Sequence, residues 1–283
     1  MNNLAGFSYI YNGIDFDIPF IESIRSVIDV VDQFVLTECH SKDNTWELCL
    51  NLQKEYPNKI KLLRRGWVRH FTEISILANW TALHIDENIG YKMQLQADEV
   101  VHEKDLDELK LLPEKMNKEN KTAAVWNYVH FLGGPSITFP FCYSELVRTV
   151  RRNGEWEVIG DGVQFAKHRG VIPQNELLNT NIEIFHYGKM KNPYKGFKKE
   201  VDFQNLFTDI GFPDPKMKRM QDSFGEEFCD YIYLFEGAIK ENKIKKFEGT
   251  HPKVMEEWLK KFKDEGYEQF VSRMIKELKI EKN

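Results

Sequence analysis

The chain has 283 residues, enough for one large domain or a domain with an appendage, and its composition (42% hydrophobic, 29% charged, 13% aromatic) is that of a soluble globular protein. A net charge of -5 excludes general electrostatic attraction to nucleic acid but leaves room for a local basic face. No stretch approaches the roughly 20 apolar residues that span a bilayer, and the first ten residues lack the pattern of a secretory leader. The four cysteines, Cys39, Cys49, Cys142 and Cys229, form no C-x-x-C pair, so reduced, packed thiols in a cytoplasmic protein are expected rather than a zinc site.

Phe7-Ser8-Tyr9-Ile10-Tyr11 reads as a strand ending in the turn pair Asn12-Gly13. Residues 18–28 carry Phe20, Ile21, Ile24, Val27 and Ile28 at helical spacing. Gln33-Phe34-Val35-Leu36-Thr37 is a second strand, followed by the polar loop Ser41-Lys42-Asp43-Asn44 with its capping residues. A helix is expected over 45–56, stopped by Pro57, then a strand at Lys61-Leu62-Leu63 and a longer helix over 71–87. Residues 92–95 form the next strand, running into Gln96-Ala97-Asp98-Glu99. This alternation predicts parallel strands joined by right-handed crossovers.

Beyond a helical stretch over 105–112, residues 115–121 read as a charged, exposed connection. Residues 123–131 are β-rich and meet the Gly133-Gly134-Pro135 turn, and 139–150 read as another β segment. A basic run with Lys189, Lys191, Lys195, Lys198 and Lys199, interleaved with Tyr194 and Phe197, suits a lid over a diphosphate, or a grip on a nucleic-acid backbone. The last hundred residues are mostly amphipathic helix, with Val254, Trp258, Phe262, Tyr267, Phe270, Met274 and Leu278 on the apolar stripe. The division expected is 1–200 for a nucleotide-sugar-binding and catalytic domain and 201–283 for a helical extension.

There is no G-x-x-x-x-G-K-[ST] loop, no G-x-G-x-x-G after the first strand and no G-x-S-x-G elbow, which sets aside P-loop, dinucleotide-dehydrogenase and α/β-hydrolase chemistry. What remains is a set of polar strand ends: Asn12 after the first, Glu38-Cys39-His40-Ser41-Lys42-Asp43-Asn44-Thr45 after the second, and Gln96-Ala97-Asp98-Glu99 after the fourth. In a parallel sheet such ends share one edge and line one crevice.

These motifs resemble those of GT-A glycosyltransferases, especially the family-2-like group. Glu38, Ser41, Asp43, Asn44 and Thr45 match the family's acidic and Ser-x-Asp-Gly-Thr segment, with Cys39 in place of a second acid. Gln96-Ala97-Asp98-Glu99 matches the Asp-Ala-Asp-Glu metal motif, with Gln96 in place of its first acid. Val147-Arg148 with Arg151-Arg152, then Trp156-Glu157-Val158-Ile159-Gly160-Asp161, then Phe185-His186-Tyr187-Gly188 follow in the family's order, and Gly249-Thr250-His251-Pro252 is similar to a late element of some relatives.

The resemblance implies an α/β, Rossmann-like GT-A fold with a mixed, mainly parallel sheet. It implies transfer of a sugar from a nucleotide-diphosphate donor, a UDP-sugar first, to an acceptor hydroxyl on a glycan, lipid, protein or modified DNA base. Mn²⁺ or Mg²⁺ would be held by Asp98 and His186. Asn12, Glu38, Asp43, Gln96, Arg148 and Lys189 would bind the donor, and Asp161 would be the base of an inverting reaction.

Other readings of the same residues stay open. Asp98 and Glu99 could cap the helix near Asp105, His186 could be a hydrogen-bonded strand end, Asp161 a turn residue beside glycine and His251 a helix-start residue. A nucleotidyltransferase, or an inactive nucleotide-sugar-binding module favoured by Gln96, would use a similar crevice. Oligomeric state leaves no mark in the sequence.

Overall fold

Apolar strands alternate with amphipathic helices through the first half of the computed structural model. They are β1 (Leu4–Ile10), α1 (Phe20–Arg25), β2 (Gln33–Glu38), α2 (Thr45–Glu55), β3 (Ile60–Arg64), α3 (Glu73–Ala82) and β4 (Tyr91–Gln94). The structure describes residues 3–140, 143–190, 243–262 and 266–277, with the single positions 195, 199, 202, 203, 206, 238 and 241. Cys142, Cys229, Lys191, Tyr194, Phe197, Lys198 and Leu278 lie outside the described residues, as do the side chains of Tyr267, Phe270 and Met274.

Strands β3-β2-β1-β4 lie side by side in that order, each pair parallel. The near-continuous burial of β1 and β2 follows from helices covering both faces. One core layer gathers Leu4, Ile10, Phe34, Leu36 and Met93 with Ile24, Leu52 and Leu112. The other gathers Ala5, Phe7 and Val35 with Ala78, Ala82 and Ile85. The alternation of side chains along each strand divides the two sets.

The second half completes the sheet with β5 (Glu99–Val101), α4 (Leu106–Lys118), β6 (Ala123–Leu132), β7 (Gly134–Thr138), β8 (Glu145–Arg151), β11 (Leu177–Lys189) and β12 (Lys245–Lys246). A separate hairpin is made by β9 (Glu157–Ile159) and β10 (Gln164–Ala166). Strand β8 enters antiparallel between β4 and β6, whereas β11 runs parallel to β6 and antiparallel to β5. The result is the expected α/β, Rossmann-like mixed sheet flanked by helices.

Several boundaries differ from expectation. Helix α4 continues to Lys118 through the stretch read as an exposed connection, because Leu109, Leu112 and Met116 are buried along one side while its lysines face out. Helix α3 is shorter than expected, and β8 starts only at Glu145. Strand β4 stops at Gln94, so Asp98 sits in a turn and Glu99 opens β5.

Near the end of the chain come α5 (Glu256–Leu259) and α6 (Tyr267–Glu277). Met255 and Trp258 bury themselves against Phe131, Phe185 and Tyr187 of β6 and β11. His251 precedes a 3-10 turn over Lys253–Met255 and also clasps the sheet: its Nε2 is 3.0 Å from the Pro135 carbonyl and its Nδ1 2.8 Å from the Tyr187 hydroxyl. Among the described residues no helix is long and apolar enough to cross a membrane.

Candidate active site

The chain leaves β1 toward β2 on one side and later returns to place β4 on the other, so the sheet has its switch point between the C-terminal ends of β1 and β4. Three expected donor-binding residues meet at this edge. Asn12, with φ 48°, donates its N–H to Ser41 Oγ at 2.8 Å and accepts from the Lys42 N–H at 2.8 Å. Asp43 accepts from the N–H groups of Ile14 and Asp15, at 3.0 and 2.8 Å, and of Thr45 at 3.0 Å. Glu38 is fully buried and accepts from the Ser41 N–H and from Arg64 Nε at 3.0 Å. Together these bonds lock the loops after β1 and β2 to one another. A Tyr11–Trp67 stack, with centroids 4.8 Å apart and rings 5° from parallel, forms an apolar wall nearby with Val68, Phe203 and Leu206.

Asp98 and His186 come together through strand register. The Tyr187 N–H donates to the Asp98 carbonyl at 2.9 Å, and His186 pairs across β5–β11 with Glu99. His186 Nε2 then lies 3.8 Å from Asp98 Oδ1, with both residues 8% exposed. Lys199, in the basic segment, donates to Asp98 Oδ2 at 3.0 Å.

Gly188 lies two residues on, on the same face of β11 as His186. A Cβ there would stand 2.5 Å from His186 Nε2 and 2.8 Å from Asp98 Oδ2. Glycine therefore keeps a cradle open directly over these two donor atoms. Lys189 closes β11 one residue beyond, its carbonyl accepting from the Gly133 N–H at 3.1 Å.

Asp161 stands on the tight turn after β9, between Gly160 at φ 64° and Gly162 at φ 83°. Two amides from the end of β4 hold this turn: Gln94 Nε2 and Gln96 Nε2 both donate to the Gly162 carbonyl, at 2.6 and 3.1 Å. The Tyr9 hydroxyl donates to the Asp161 carbonyl at 3.4 Å, and a Cβ on Gly162 would stand 2.5 Å from that hydroxyl. Burial pushes the Asp161 carboxyl above its ordinary range; the negative charge of Asp98 adds to the push, while Arg148 and Lys199 oppose it. Asp161 and Asp98 thus feel each other's charge across one crevice.

Arg148 and Glu99 lie beneath this crevice as a fully buried ion pair. Arg148 Nη1 also donates to the Val163 carbonyl at 2.7 Å and to Gln94 Oε1 at 3.3 Å. Glu99 accepts from the Tyr128 hydroxyl and the Gln96 N–H, both at 2.8 Å. The guanidinium therefore supports the Asp161 turn from below. Arg151 and Arg152 follow at the far end of β8, where Arg152 Nη1 donates to the Asp86 carbonyl at 2.6 Å.

The donor set suits a hard divalent cation. Among the described residues no three His, Cys, Asp or Glu side chains gather at one point. Asp98 and His186 offer an oxygen and an imidazole nitrogen beneath the Gly188 cradle. Mg²⁺ and Mn²⁺ sites of nucleotide enzymes commonly take one or two protein ligands, with phosphate oxygens and water completing the shell. Of the residues named here, Tyr9, Gln94, Gly188 and His130 were not singled out by their local sequence. Glycine two positions after a strand histidine is the one signal that could have flagged Gly188.

No protein-family model and no curated protein matches the chain. Among solved structures, a crystal structure of S. aureus TarS is similar at 8% identity and TM-score 0.41, over 78% of this chain and 44% of that one. The chain thus spans less than half the length of that protein. S. aureus TarS 1-349 in complex with UDP-GlcNAc is similar at 8% identity and TM-score 0.42, over 85% and 88% of the two chains. A mycobacterial protein is similar at 13% identity and TM-score 0.42, over 75% and 76%. Likeness at this level says nothing of substrate or reaction.

Proposed function

We propose that this chain is a glycosyltransferase that moves a sugar from a nucleotide-diphosphate sugar, a UDP-sugar first, to an acceptor hydroxyl with inversion. The reading rests on one observation above all: Asp98, His186 and the Asp161 turn converge at the sheet's switch point, around a cradle that only glycine leaves open. Breaking the anomeric C–O bond puts negative charge on the departing diphosphate. Bound Mn²⁺ or Mg²⁺ supplies Lewis-acid neutralisation of that charge. Asp98 and His186 are the residues that would hold it.

The remaining roles belong to the chain itself. The interlocked loops carrying Asn12, Glu38 and Asp43 shape the nucleoside end of the crevice. Lys199 and Lys189 bring positive charge to the diphosphate end. Asp161 takes the acceptor proton, and its raised pKa makes it a better base than an ordinary aspartate while leaving it ionised near neutrality. Gln94, Gln96 and Arg148 position it.

A panel of UDP-, GDP-, ADP- and CMP-sugars, incubated with the protein and Mn²⁺, tests the reading through release of the nucleotide. Slow hydrolysis of one donor, abolished by chelation, is the expected result. Absence of hydrolysis and of binding across the panel would contradict it.

A further inference from the structure

Strand register places a second histidine behind the first. In the parallel pair β6–β11, His130 is level with His186. The rings meet edge-on, 85° apart, with Nδ1 2.9 Å from Nδ1. Two imidazole nitrogens at that separation share one hydrogen, so one of them donates and the other accepts.

A third group decides which. His130 Nε2 lies 3.0 Å from the carbonyl oxygen of Tyr143. A carbonyl oxygen only accepts, so His130 Nε2 carries a hydrogen. The His130 ring is 3% exposed, and burial of this depth favours the neutral imidazole. Its Nδ1 is therefore a bare acceptor, and His186 Nδ1 must be the donor. Neutral His186 then has its lone pair at Nε2, the atom that faces Asp98 Oδ1.

We propose that His130 is a positioning residue that fixes His186 as its Nδ1–H tautomer, so that Nε2 presents a lone pair beside Asp98 and the two together accept a divalent cation. With no acceptor at position 130, the opposite tautomer would gain a hydrogen bond from Nε2–H to the Asp98 carboxylate, and the site would close on itself. The Tyr143 carbonyl thus acts on the Asp98 site through two rings in series. A ligand histidine in a metal site ordinarily donates its second nitrogen to a carboxylate, a carbonyl or water; here a histidine pinned by a carbonyl takes that place. The inference rests on the reading of Asp98 and His186 as metal ligands.

The test begins without metal. In ¹⁵N-histidine-labelled protein, NMR distinguishes the two tautomers, and the His186 signals are assigned by their loss in His186→Gln. The wild type should show His186 protonated at Nδ1; protonation at Nε2 would overturn the proposal. Calorimetry with Mn²⁺ and UDP then compares His130→Leu, which has no acceptor, with His130→Asn, whose amide oxygen can stand near the place of Nδ1. We expect Mn²⁺ affinity to fall about 10- to 100-fold in His130→Leu and to recover to within a few-fold in His130→Asn. Equal affinities in wild type and His130→Leu would also overturn the proposal. If His130→Leu fails to fold, the wild-type tautomer and His130→Asn still decide it. A wild type with the Nδ1–H tautomer but no Mn²⁺ affinity would bring down the metal reading of the site and leave the tautomer assignment standing.

Discussion

His186 faces Asp98 across 3.8 Å because Tyr187, the next residue, ties its backbone N–H to the Asp98 carbonyl. The ligand geometry is thus set by main-chain pairing of β11 against the turn before β5. It does not depend on either side chain finding the other. Side-chain changes nearby should therefore alter the site without dissolving it.

Gly188→Ala is the sharpest such change. Its methyl would stand 2.5 Å from His186 Nε2 and 2.8 Å from Asp98 Oδ2. Overpacking of this kind costs about 1–3 kcal/mol, so Mn²⁺-dependent UDP binding should weaken about tenfold or more. Calorimetry measures the loss, and far-ultraviolet circular dichroism should show the fold retained. Unchanged binding would remove the cradle from the account.

Asp161→Asn should lower turnover about 10²–10⁴-fold, the ordinary contribution of a general base, with donor affinity nearly unchanged. The pH dependence has a defined sign. A base works when deprotonated, and burial raises the Asp161 pKa, so the acid limb of the rate profile should lie above that of an ordinary aspartate. That limb should vanish in Asp161→Asn. Normal turnover by the variant would take Asp161 out of the base role.

Gln96→Asp restores the acid that stands at this place in the family the motifs resemble. It should not improve Mn²⁺ binding, because the Gln96 amide is engaged in donating to the Gly162 carbonyl, and a carboxylate cannot donate that bond. Loss of the bond, worth about 0.5–1.5 kcal/mol, should slow turnover roughly two- to tenfold through a loosened Asp161 turn. A gain in metal affinity and rate would show instead that Gln96 is a weakened ligand.

Arg148→Met leaves Glu99 as an uncompensated buried charge, for which about 3–5 kcal/mol of lost stability is expected. The double change Arg148→Met with Glu99→Gln should recover much of it. Urea denaturation of both variants checks this, and a loss under about 1 kcal/mol for the single change would contradict the pair's structural role.

Much of the fold was legible in the sequence. Two-residue and 3.6-residue periodicities up to residue 95 gave β1, β2, β3 and β4 and their helices to within a few residues, because each of these elements buries one side against the sheet. Helix α4 was cut short in that reading because its lysines obscured Leu109, Leu112 and Met116. The end of β4 was misjudged for a different reason. Glu99 turns back to accept the Gln96 N–H and to meet Arg148, a residue far along the chain.

The site was legible only where local motifs carry it, at Asn12, Glu38, Asp43, Asp98, Asp161 and His186. His130 was invisible because its meaning comes from the β6–β11 register, which brings together residues 56 positions apart. Arg148 read as an exposed phosphate binder because nothing near it in sequence announces its buried partner.

The central claim is most directly tested by titrating UDP into the protein by calorimetry, with and without Mn²⁺, in the wild type and in Asp98→Ala. The account predicts UDP binding strengthened about tenfold or more by Mn²⁺ in the wild type, with no such gain in Asp98→Ala. UDP affinity indifferent to both the metal and the substitution would contradict it.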